Sequence, residues 1–446
     1  MNLHSRLLAR AEAGKPIRVG LIGAGKFGAM FLAQARRTPG LHVMAIADLM
    51  PERAVEACQR VGWPSEACAA TSFDGALASG GTHVTDDAMA LIKAPGLDVV
   101  VEATGSPAAG TAHALAAFDA GRHVVMVTVE ADALAGPLLA RRAEAAGVVY
   151  SLAYGDQPAL IAEMVDWARA TGFEVVCAGK GTKYRPEYHQ MTPDTVWDHY
   201  GITAEAAAAG GMNPQMFNSF MDGSKSAIEM AAVANACGLT PAPGGLAFPP
   251  CGTGDLADTL KPRSDGGMLD HPGTVEVVSS ETRQGGAVTD DLRWGVFVTF
   301  AAPDDYVRRC FAEYGLSTDQ SGQYAAMWKP YHLIGLELGI SVASAALRAE
   351  PTGTARAFNG DVAATAKGNL TAGETLDGEG GYTVWGKLMP AVDSVAQGAL
   401  PLGLAHGVKL KAPVAQGETL RWSDVEIDES DPTVAFRREM EGAFRL

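Results

Sequence analysis

Apolar runs alternate with amphipathic stretches over the first 155 residues of the chain. The runs that predict strands buried on both faces are Ile17–Ile22, His42–Ala47, Leu97–Ala103, His123–Val129 and Val148–Ala153. Between them, one helix is predicted to begin at Ser106-Pro107 and end at Gly121, and Asp132 is predicted to cap the next. This alternation favours an α/β fold, with an N-terminal Rossmann doubly wound parallel sheet.

The pattern becomes mixed from about residue 156. Phe173–Gly179 and Trp294–Phe300 predict strands, and Lys225–Gly238 predicts a helix that ends at a glycine. A connection rich in glycine and proline, Gly238–Gly254, separates these elements. Leu333–Leu347 has helical character and is expected to pack back on the first domain. These features indicate a central α+β catalytic domain with extended loops.

After about residue 352 the sequence becomes rich in glycine, with short alternating runs and few long helical stretches. This texture is typical of a small β-rich module. The predicted division is therefore a dinucleotide-binding domain at 1–155, a catalytic domain at 156–351 and a β-rich domain at 352–446.

Composition excludes several classes of partner. The formal net charge of -16 makes nucleic acid or an anionic membrane an unsuitable partner, because binding phosphates requires clustered lysine and arginine. The 6 cysteines lie far apart without zinc-ligand spacing, which indicates reduced thiols. No apolar run reaches the ~20 residues of a membrane span. We expect a soluble, cytoplasmic protein whose partner is a small-molecule substrate.

A glycine-rich loop follows the first predicted strand and opens a helix. In this GxGxxG arrangement, Gly23 permits the tight turn, Gly25 lets the backbone approach a pyrophosphate, and Gly28 allows close helix–strand packing. Lys26 and Phe27 begin the helix beside the expected phosphates. The loop predicts a dinucleotide site; the alternative is a structural turn that binds nothing.

An acidic residue, Asp48, ends the second predicted strand. A carboxylate there accepts hydrogen bonds from ribose hydroxyls and repels a 2′-phosphate, which favours NAD over NADP. Lys26 and Arg53 weaken that preference if they reach the ribose, so NADP stays possible. The alternative reading is a turn or capping residue before Pro51.

Two further strand ends carry candidate cofactor contacts. Thr104 and Gly105 follow the strand that ends near Ala103, and Glu130 follows the next one. In doubly wound sheets ligands bind at the carboxyl ends of the strands, so these residues are expected to line the cofactor or the substrate. For Glu130 the alternative is a helix cap.

Polar stretches of the central domain hold the candidate catalytic residues, which are Lys180, Asp222, Ser224, Lys225 and Lys329. Interconversion of a hydroxyl and a carbonyl requires a proton donor or acceptor and a cation near the reacting oxygen, and lysine supplies both. The alternative is a capped helix with solvated lysines. A divalent metal is required only if Asp222 and Glu229 converge, which the sequence leaves open.

Taken together, the stretches IRVGLIGAGKFG, DVVVEATGSP, VMVTVEAD, VYSLAYGDQP, VCAGKG, FMDGSKSAIEMAAVANACGL and KPYHL resemble the homoserine-dehydrogenase-like oxidoreductases that include the 1-deoxy-D-xylulose 5-phosphate reductoisomerase-like enzyme. Asp361–Asp428 resembles a SAF domain. The resemblance implies a Rossmann domain, a central catalytic and dimerisation domain that makes a homo-oligomer, and a SAF-like module. It also implies that the candidate catalytic residues face the substrate.

The chain departs from this family at two places. Ala47-Asp48-Leu49 stands where the reductoisomerase-like enzyme is expected to have basic residues for NADPH. Glu130-Ala131 stands where homoserine dehydrogenases carry an Asn-Lys pair, so homoserine is a poor substrate candidate.

The sequence therefore predicts an NAD(P)-dependent oxidoreductase that transfers hydride to or from a small polar hydroxy or keto compound with a carboxylate or phosphate, in a cleft between the first two domains. Lys225 or Lys180 is expected to manage the proton and Asp222 to orient it. The alternatives are the isomeroreductase reaction and a non-catalytic dinucleotide-binding sensor.

Overall fold

The computed structural model describes residues 2–209 and 212–444. The chain divides into two compact units. The first runs to Leu160 and includes His332–Arg356, and the second contains Ile161–Tyr331 and the chain from Ala357 onward. This division differs from the predicted boundaries, because the C-terminal region groups with the central one; the three-domain organisation stays a prediction.

The strands are β1 (Ile17–Ile22), β2 (Leu41–Ala47), β3 (His83–Thr85), β4 (Val99–Glu102), β5 (His123–Met126), β6 (Tyr150–Leu152), β7 (Glu174–Thr182), β8 (Thr274–Ser279), β9 (Val296–Ala301), β10 (Ser317–Thr318), β11 (Tyr324–Lys329), β12 (Gly360–Ala366), β13 (Thr375–Asp377), β14 (Val384–Pro390), β15 (His406–Leu410) and β16 (Val425–Glu426). The helices are α1 (Leu3–Glu12), α2 (Lys26–Ala35), α3 (Pro51–Arg60), α4 (Phe73–Ser79), α5 (Ala88–Lys93), α6 (Pro107–Asp119), α7 (Val129–Ala145), α8 (Gln157–Ala170), α9 (Val196–Tyr200), α10 (Ala204–Ala209), α11 (Pro214–Met221), α12 (Ser224–Cys237), α13 (Leu256–Thr259), α14 (Asp305–Glu313), α15 (Gly339–Arg348), α16 (Ala391–Gln397) and α17 (Pro432–Ala443).

The first unit is built on a parallel sheet with the order β3-β2-β1-β4-β5-β6. This order is that of the doubly wound dinucleotide-binding fold, so the predicted α/β fold class is confirmed. Its central strands are apolar on both faces because helices cover both sides. The consecutive residues Val99, Val100 and Val101, whose side chains alternate between the two faces of β4, are all fully buried. The sequence analysis missed β3, which is a short, half-buried edge strand.

Helix α15 belongs to the first unit, as its apolar pattern predicts. Val342 and Ala343 are fully buried in the same core cluster as the residues of β1 and α2. Just before this helix, the backbone at Gly335 lies close to α2. A Cβ atom on Gly335 would lie 2.7 Å from the Cβ of Met30. The chain thus returns to the first unit after leaving the second.

Helix α7 corrects one local prediction. The sequence suggests Asp132 as its cap, but the helix begins earlier, at Val129. Asp132 instead lies inside the helix, fully buried, and accepts a hydrogen bond of 2.9 Å from the hydroxyl of Tyr150. Burial raises the pKa of this carboxyl to about 7.

The second unit contains a mixed sheet with the order β10-β11-β9-β7-β8. Strands β7 and β8 are parallel, whereas β9 runs antiparallel to both β7 and β11. The predicted strands correspond to β7 and β9, and the predicted helix corresponds to α12, which ends at Gly238 in a left-handed conformation. Within the unit, α12 packs against β7, β8, β12 and β14.

The region after about residue 360 is β-rich, as its sequence predicts. It contains the pair β12–β14 and the sheet β13-β15-β16. Helix α17 is tied to β12 because Arg437 donates two hydrogen bonds, of 3.0 and 2.6 Å, to the carboxylate of Asp361. Across the residues described, no helix combines the length and apolar character needed to cross a membrane.

Candidate functional site

In the glycine loop between β1 and α2, two of the three glycines leave no space for a side chain and one faces open space. Gly23 has a φ of 92°, and a Cβ there would lie 2.5 Å from the carbonyl oxygen of Ala103. A Cβ on Gly28 would lie 2.3 Å from the carbonyl oxygen of Gly23. A Cβ on Gly25, at the N-cap of α2, would meet nothing within 4 Å. The loop therefore leaves open space at the helix N-terminus, where a dinucleotide pyrophosphate fits.

The first residues of α2 frame this open space. Lys26 is exposed, and no carboxylate of the described chain lies within 4.0 Å of its Nζ atom, so its charge is available to a phosphate. Phe27 is half-buried and packs against the core cluster of the first unit. It positions the helix; its predicted contact with the cofactor stays a prediction.

Asp48 supports the loop from the end of β2. Its Oδ2 atom accepts a hydrogen bond of 2.9 Å from the backbone N–H of Ala24, and its Oδ1 atom accepts one of 3.0 Å from that of Met50. The side chain is half-buried, and each carboxylate oxygen can accept a further bond. Leu49 beside it is 93% exposed. The ribose contact predicted for Asp48 is compatible with this geometry and stays a prediction.

A buried carboxylate at the end of β4 accepts hydrogen bonds from the residues that follow β4 and β5. Glu102, the last residue of β4, is fully buried and accepts hydrogen bonds from Thr104 Oγ1 at 2.7 Å, from Thr128 Oγ1 and from His113. Thr128 Oγ1 in turn accepts one of 2.9 Å from the backbone N–H of Gly105. The predicted residues Thr104 and Gly105 thus belong to a network that holds the loop after β4.

The members of this network that the sequence analysis missed are Glu102, Thr128 and His113. The available signal was a glutamate at the end of a strand with a threonine, Thr104, two positions later. The remaining prediction in this unit, Glu130, lies in the first turn of α7 and is half-buried.

In the second unit, a buried ion pair joins the sheet to α12. Lys180 of β7 donates a hydrogen bond to the carboxylate of Glu229, and the two residues are only 5% and 3% exposed. Lys180 pairs across the sheet with Val296, which pairs with Lys329 at the end of β11. Directly paired residues in antiparallel strands share a face, so Lys180 and Lys329 lie on one face of the sheet. The Nζ atom of Lys329 is 5.6 Å from the ring centroid of Tyr331.

Asp222 and Ser224 anchor the start of α12 to the β-rich region. Asp222 Oδ2 lies 2.7 Å from the Nζ atom of Lys367, and Asp222 Oδ1 accepts a hydrogen bond of 2.9 Å from the N–H of Ser224. The hydroxyl of Ser224 accepts one of 2.8 Å from the N–H of Gly386. Both side chains are fully buried. Their geometry is that of positioning residues, and contact with a substrate stays a prediction.

Lys225 follows on the same helix and is half-buried. It lies one turn before Glu229, so the two share the helix face that meets Lys180. Asp222 and Glu229 pair with different lysines, Lys367 and Lys180. Across 2–209 and 212–444, no group of three or more His, Cys, Asp or Glu side chains is arranged to hold a metal ion.

Family comparisons agree with the geometry of the glycine loop. Residues 17–127 match the family GFO/IDH/MocA, described as oxidoreductase family, NAD-binding Rossmann fold. Residues 155–338 match the family described as oxidoreductase DRL, catalytic domain. The first match lies on an NAD-binding oxidoreductase domain and the second on an oxidoreductase catalytic domain. The predicted oxidoreductase class and the NAD-binding Rossmann domain are thereby confirmed.

Solved structures that resemble the chain are similar over part of its length. A probable dehydrogenase from Thermotoga maritima is 17% identical over 41% of this chain and 52% of its own, with a TM-score of 0.29. Biliverdin reductase from Synechocystis, with biliverdin and NADP+, is 19% identical over 39% and 49%, with a TM-score of 0.27. myo-Inositol dehydrogenase from Lactobacillus casei, with NAD(H) and myo-inositol, is 18% identical over 41% and 50%, with a TM-score of 0.29. The chain therefore matches about half the length of these proteins. No curated protein matches it.

Proposed function

We propose that this oxidoreductase transfers hydride between NAD and a small polar hydroxy or keto compound that carries a carboxylate or a phosphate. The observation that carries the proposal is the glycine loop, where Gly23 and Gly28 are sterically closed and only Gly25 faces open space. A loop that served as a turn alone would not require open space at the helix N-terminus.

The residues of the first unit fit the cofactor. The N-terminus of α2 and the exposed Lys26 would hold the pyrophosphate, and Asp48 would accept hydrogen bonds from the adenosine ribose. A carboxylate at that position repels a 2′-phosphate, which is the reason for preferring NAD to NADP. When bound, the nicotinamide accepts or supplies the hydride.

The lysines of the second unit supply the polar chemistry of the proposal. Lys180 is held by Glu229, so its ammonium has a fixed position from which it stabilises negative charge on a substrate oxygen. Lys225, on the same helix face as Glu229, is the better candidate to move the proton. Lys329 lies on the same sheet face as Lys180 and would add a second cation for an acidic group. Asp222 fixes the start of the helix that carries Lys225.

Absorbance at 340 nm tests this proposal directly. NAD+ is offered with hydroxy acids and sugar phosphates, and NADH with keto acids and 1-deoxy-D-xylulose 5-phosphate. We expect turnover with at least one compound, and losses of at least 100-fold in kcat/KM for Lys180→Met and Lys225→Met. Lys409→Met, an exposed lysine of β15, is the matched control. If Lys180→Met and Lys225→Met both kept kcat/KM within a few-fold of the wild-type value, the catalytic roles assigned to these lysines would be wrong.

The same panel separates the alternatives. The resemblance to the reductoisomerase-like enzyme is supported if 1-deoxy-D-xylulose 5-phosphate is the compound that oxidises NADH or NADPH, and adding Mg²⁺ shows whether the reaction uses a metal. Binding of NADH at micromolar concentration without turnover of any compound would favour a dinucleotide sensor.

A further inference from the structure

A cavity of about 190 Å³ lies inside the second unit, between the start of α12, strand β14 and the loop before Cys251. Its lining includes His189, Gly223, Phe248, Thr365, Trp385 and Lys387. No Asp or Glu is among the described residues that line it. An apolar cavity of about 150 Å³ holds a benzene ring. This one therefore has room for a single ring with a small substituent, and it is too small for a dinucleotide.

The cavity lies on the other side of α12 from the candidate catalytic lysines. Gly223 and Ala227, four residues apart at the start of the helix, face the cavity. Lys225 and Glu229 are offset from them by two positions, about half a turn, and Glu229 meets Lys180. The cavity is thus separate from the Lys180–Glu229 pair.

Aromatic walls of the cavity are held in place by stacking. Trp385 stacks on His189 with ring centroids 3.7 Å apart and an interplanar angle of 22°. Phe248 stacks on Tyr184 at 3.9 Å and 17°. Walls that are fixed in this way lose little conformational entropy when a flat ligand enters.

The backbone at Phe248 is strained, and a buried carboxylate maintains that strain. Phe248 has a φ of 50°, a conformation that side chains of this kind seldom adopt. Glu276, which is almost fully buried, accepts hydrogen bonds of 3.1 and 3.2 Å from the backbone N–H groups of Ala247 and Phe248. Strain that the surroundings enforce in this way is concentrated at ligand sites.

Among the described residues that line the cavity, Lys387 carries the positive charge and His189 is a neutral ring. His189 Nδ1 donates a hydrogen bond of 2.7 Å to the carbonyl oxygen of Asp222, so in the neutral ring Nε2 accepts from the hydroxyl of Tyr184 at 2.9 Å. Burial lowers the pKa of His189, and the charges of Lys367 and Lys387 lower it further. The imidazole of His189 therefore lines the cavity as an uncharged ring.

Two polar groups of the cavity lack partners within the described chain. No carboxylate of residues 2–209 and 212–444 lies within 4.0 Å of Lys387 Nζ. The hydroxyl of Thr365 is buried, has no hydrogen-bond partner, and belongs to a residue that is 1% exposed. Thr365 pairs with Trp385 across β12 and β14, so both side chains leave the same face of the strand pair. A buried polar group without a partner is costly unless a ligand or water supplies one.

We propose that this cavity binds a small aromatic carboxylate, with its ring between Trp385 and Phe248 and its carboxylate at Lys387. The hydroxyl of Thr365 gains a hydrogen bond to the same ligand. A bound ring contacts Gly223 and β14 together, and so couples the β-rich region to the start of α12. The proposal is independent of the redox reaction proposed above.

Fluorine NMR with 4-fluorobenzoate as the probe tests the proposal on the full-length protein. We expect saturable broadening from one site, at least tenfold weaker binding of the neutral 4-fluorobenzamide, and at least tenfold weaker binding of trifluoroacetate, which lacks the ring. Lys387→Met is expected to weaken 4-fluorobenzoate at least tenfold and Thr365→Val several-fold. Lys409→Met serves as the matched surface control.

Circular dichroism first establishes that each variant is folded. If Lys387→Met does not fold, Thr365→Val still tests the proposal. Absence of saturable 4-fluorobenzoate binding to the wild-type protein would overturn the proposal. So would equal binding by the wild-type protein and Lys387→Met, or equal binding of the benzoate and the benzamide. Stronger binding of trifluoroacetate than of 4-fluorobenzoate would overturn the aromatic part and show a simple anion site.

Discussion

Replacing Lys367 with methionine removes the cation that holds the start of α12. The Nζ atom of Lys367 donates hydrogen bonds of 2.7 and 2.6 Å to the carbonyl oxygens of Met191 and Gly381, and it lies 2.7 Å from Asp222 Oδ2. Its side chain is 3% exposed and that of Asp222 is fully buried. Methionine has a similar length and apolar stem, so the change removes the charge with little loss of volume.

The cost follows from what remains after the substitution. Breaking a buried pair by removing one partner costs about 3–5 kcal/mol, because the other charge stays buried and uncompensated. Two carbonyl oxygens also lose their donor. Since proteins are commonly stable by about 5–15 kcal/mol, we expect Lys367→Met to lose roughly a fifth or more of the free energy of unfolding.

Urea unfolding followed by circular dichroism measures this loss. Lys409→Met, at an exposed position, is expected to change the free energy of unfolding by less than about 0.5 kcal/mol. The double variant Lys367→Met/Asp222→Asn removes the stranded charge and is expected to be more stable than Lys367→Met by about 1–3 kcal/mol. A loss below about 1 kcal/mol for Lys367→Met, or additive losses in the double variant, would refute this reasoning.

Two further predictions concern the first unit. Gly23→Ala forces a Cβ to within 2.5 Å of the Ala103 carbonyl oxygen at a φ of 92°, so we expect a lower Tm and no measurable NADH binding; an unchanged Tm would contradict this. Asp132 has its pKa raised by burial from 3.8 to about 7, so the folded state loses stability as the pH rises from about 4 to about 7 and carries the full penalty above 7. Asp132→Asn is therefore expected to raise the Tm relative to the wild-type protein more at pH 8 than at pH 5, and an equal difference at both pH values would refute the assignment.

The fold of the first unit could be predicted because the apolar pattern and the capping residues of its helices and strands lie within each element. The strand Ile17–Ile22 is apolar apart from Arg18 because both of its faces are covered. The helix after Ser106 begins with a capping serine and a proline. The glycine loop could also be predicted, because Gly23 and Gly28 answer a steric demand and Gly25 leaves open space at the helix N-terminus.

Contacts between distant parts of the chain could not be predicted in this way. The ion pair of Asp222 could not be predicted because its partner, Lys367, lies 145 positions later and has no motif around it. Asp132 looked like a cap because acidic residues favour helix starts, and only the three-dimensional packing against Tyr150 shows that it is buried.

Calorimetric titration with NADH tests the central claim most directly, in a comparison of the wild-type protein with Gly25→Leu. The new side chain enters open space, so we expect the Tm to stay within a few degrees while the affinity for NADH falls at least tenfold. Gly254→Leu, at an exposed glycine with equally open surroundings in the second unit, is the matched control and is expected to bind NADH normally. NADH binding by Gly25→Leu with wild-type affinity would contradict the assignment of the glycine loop as the cofactor site.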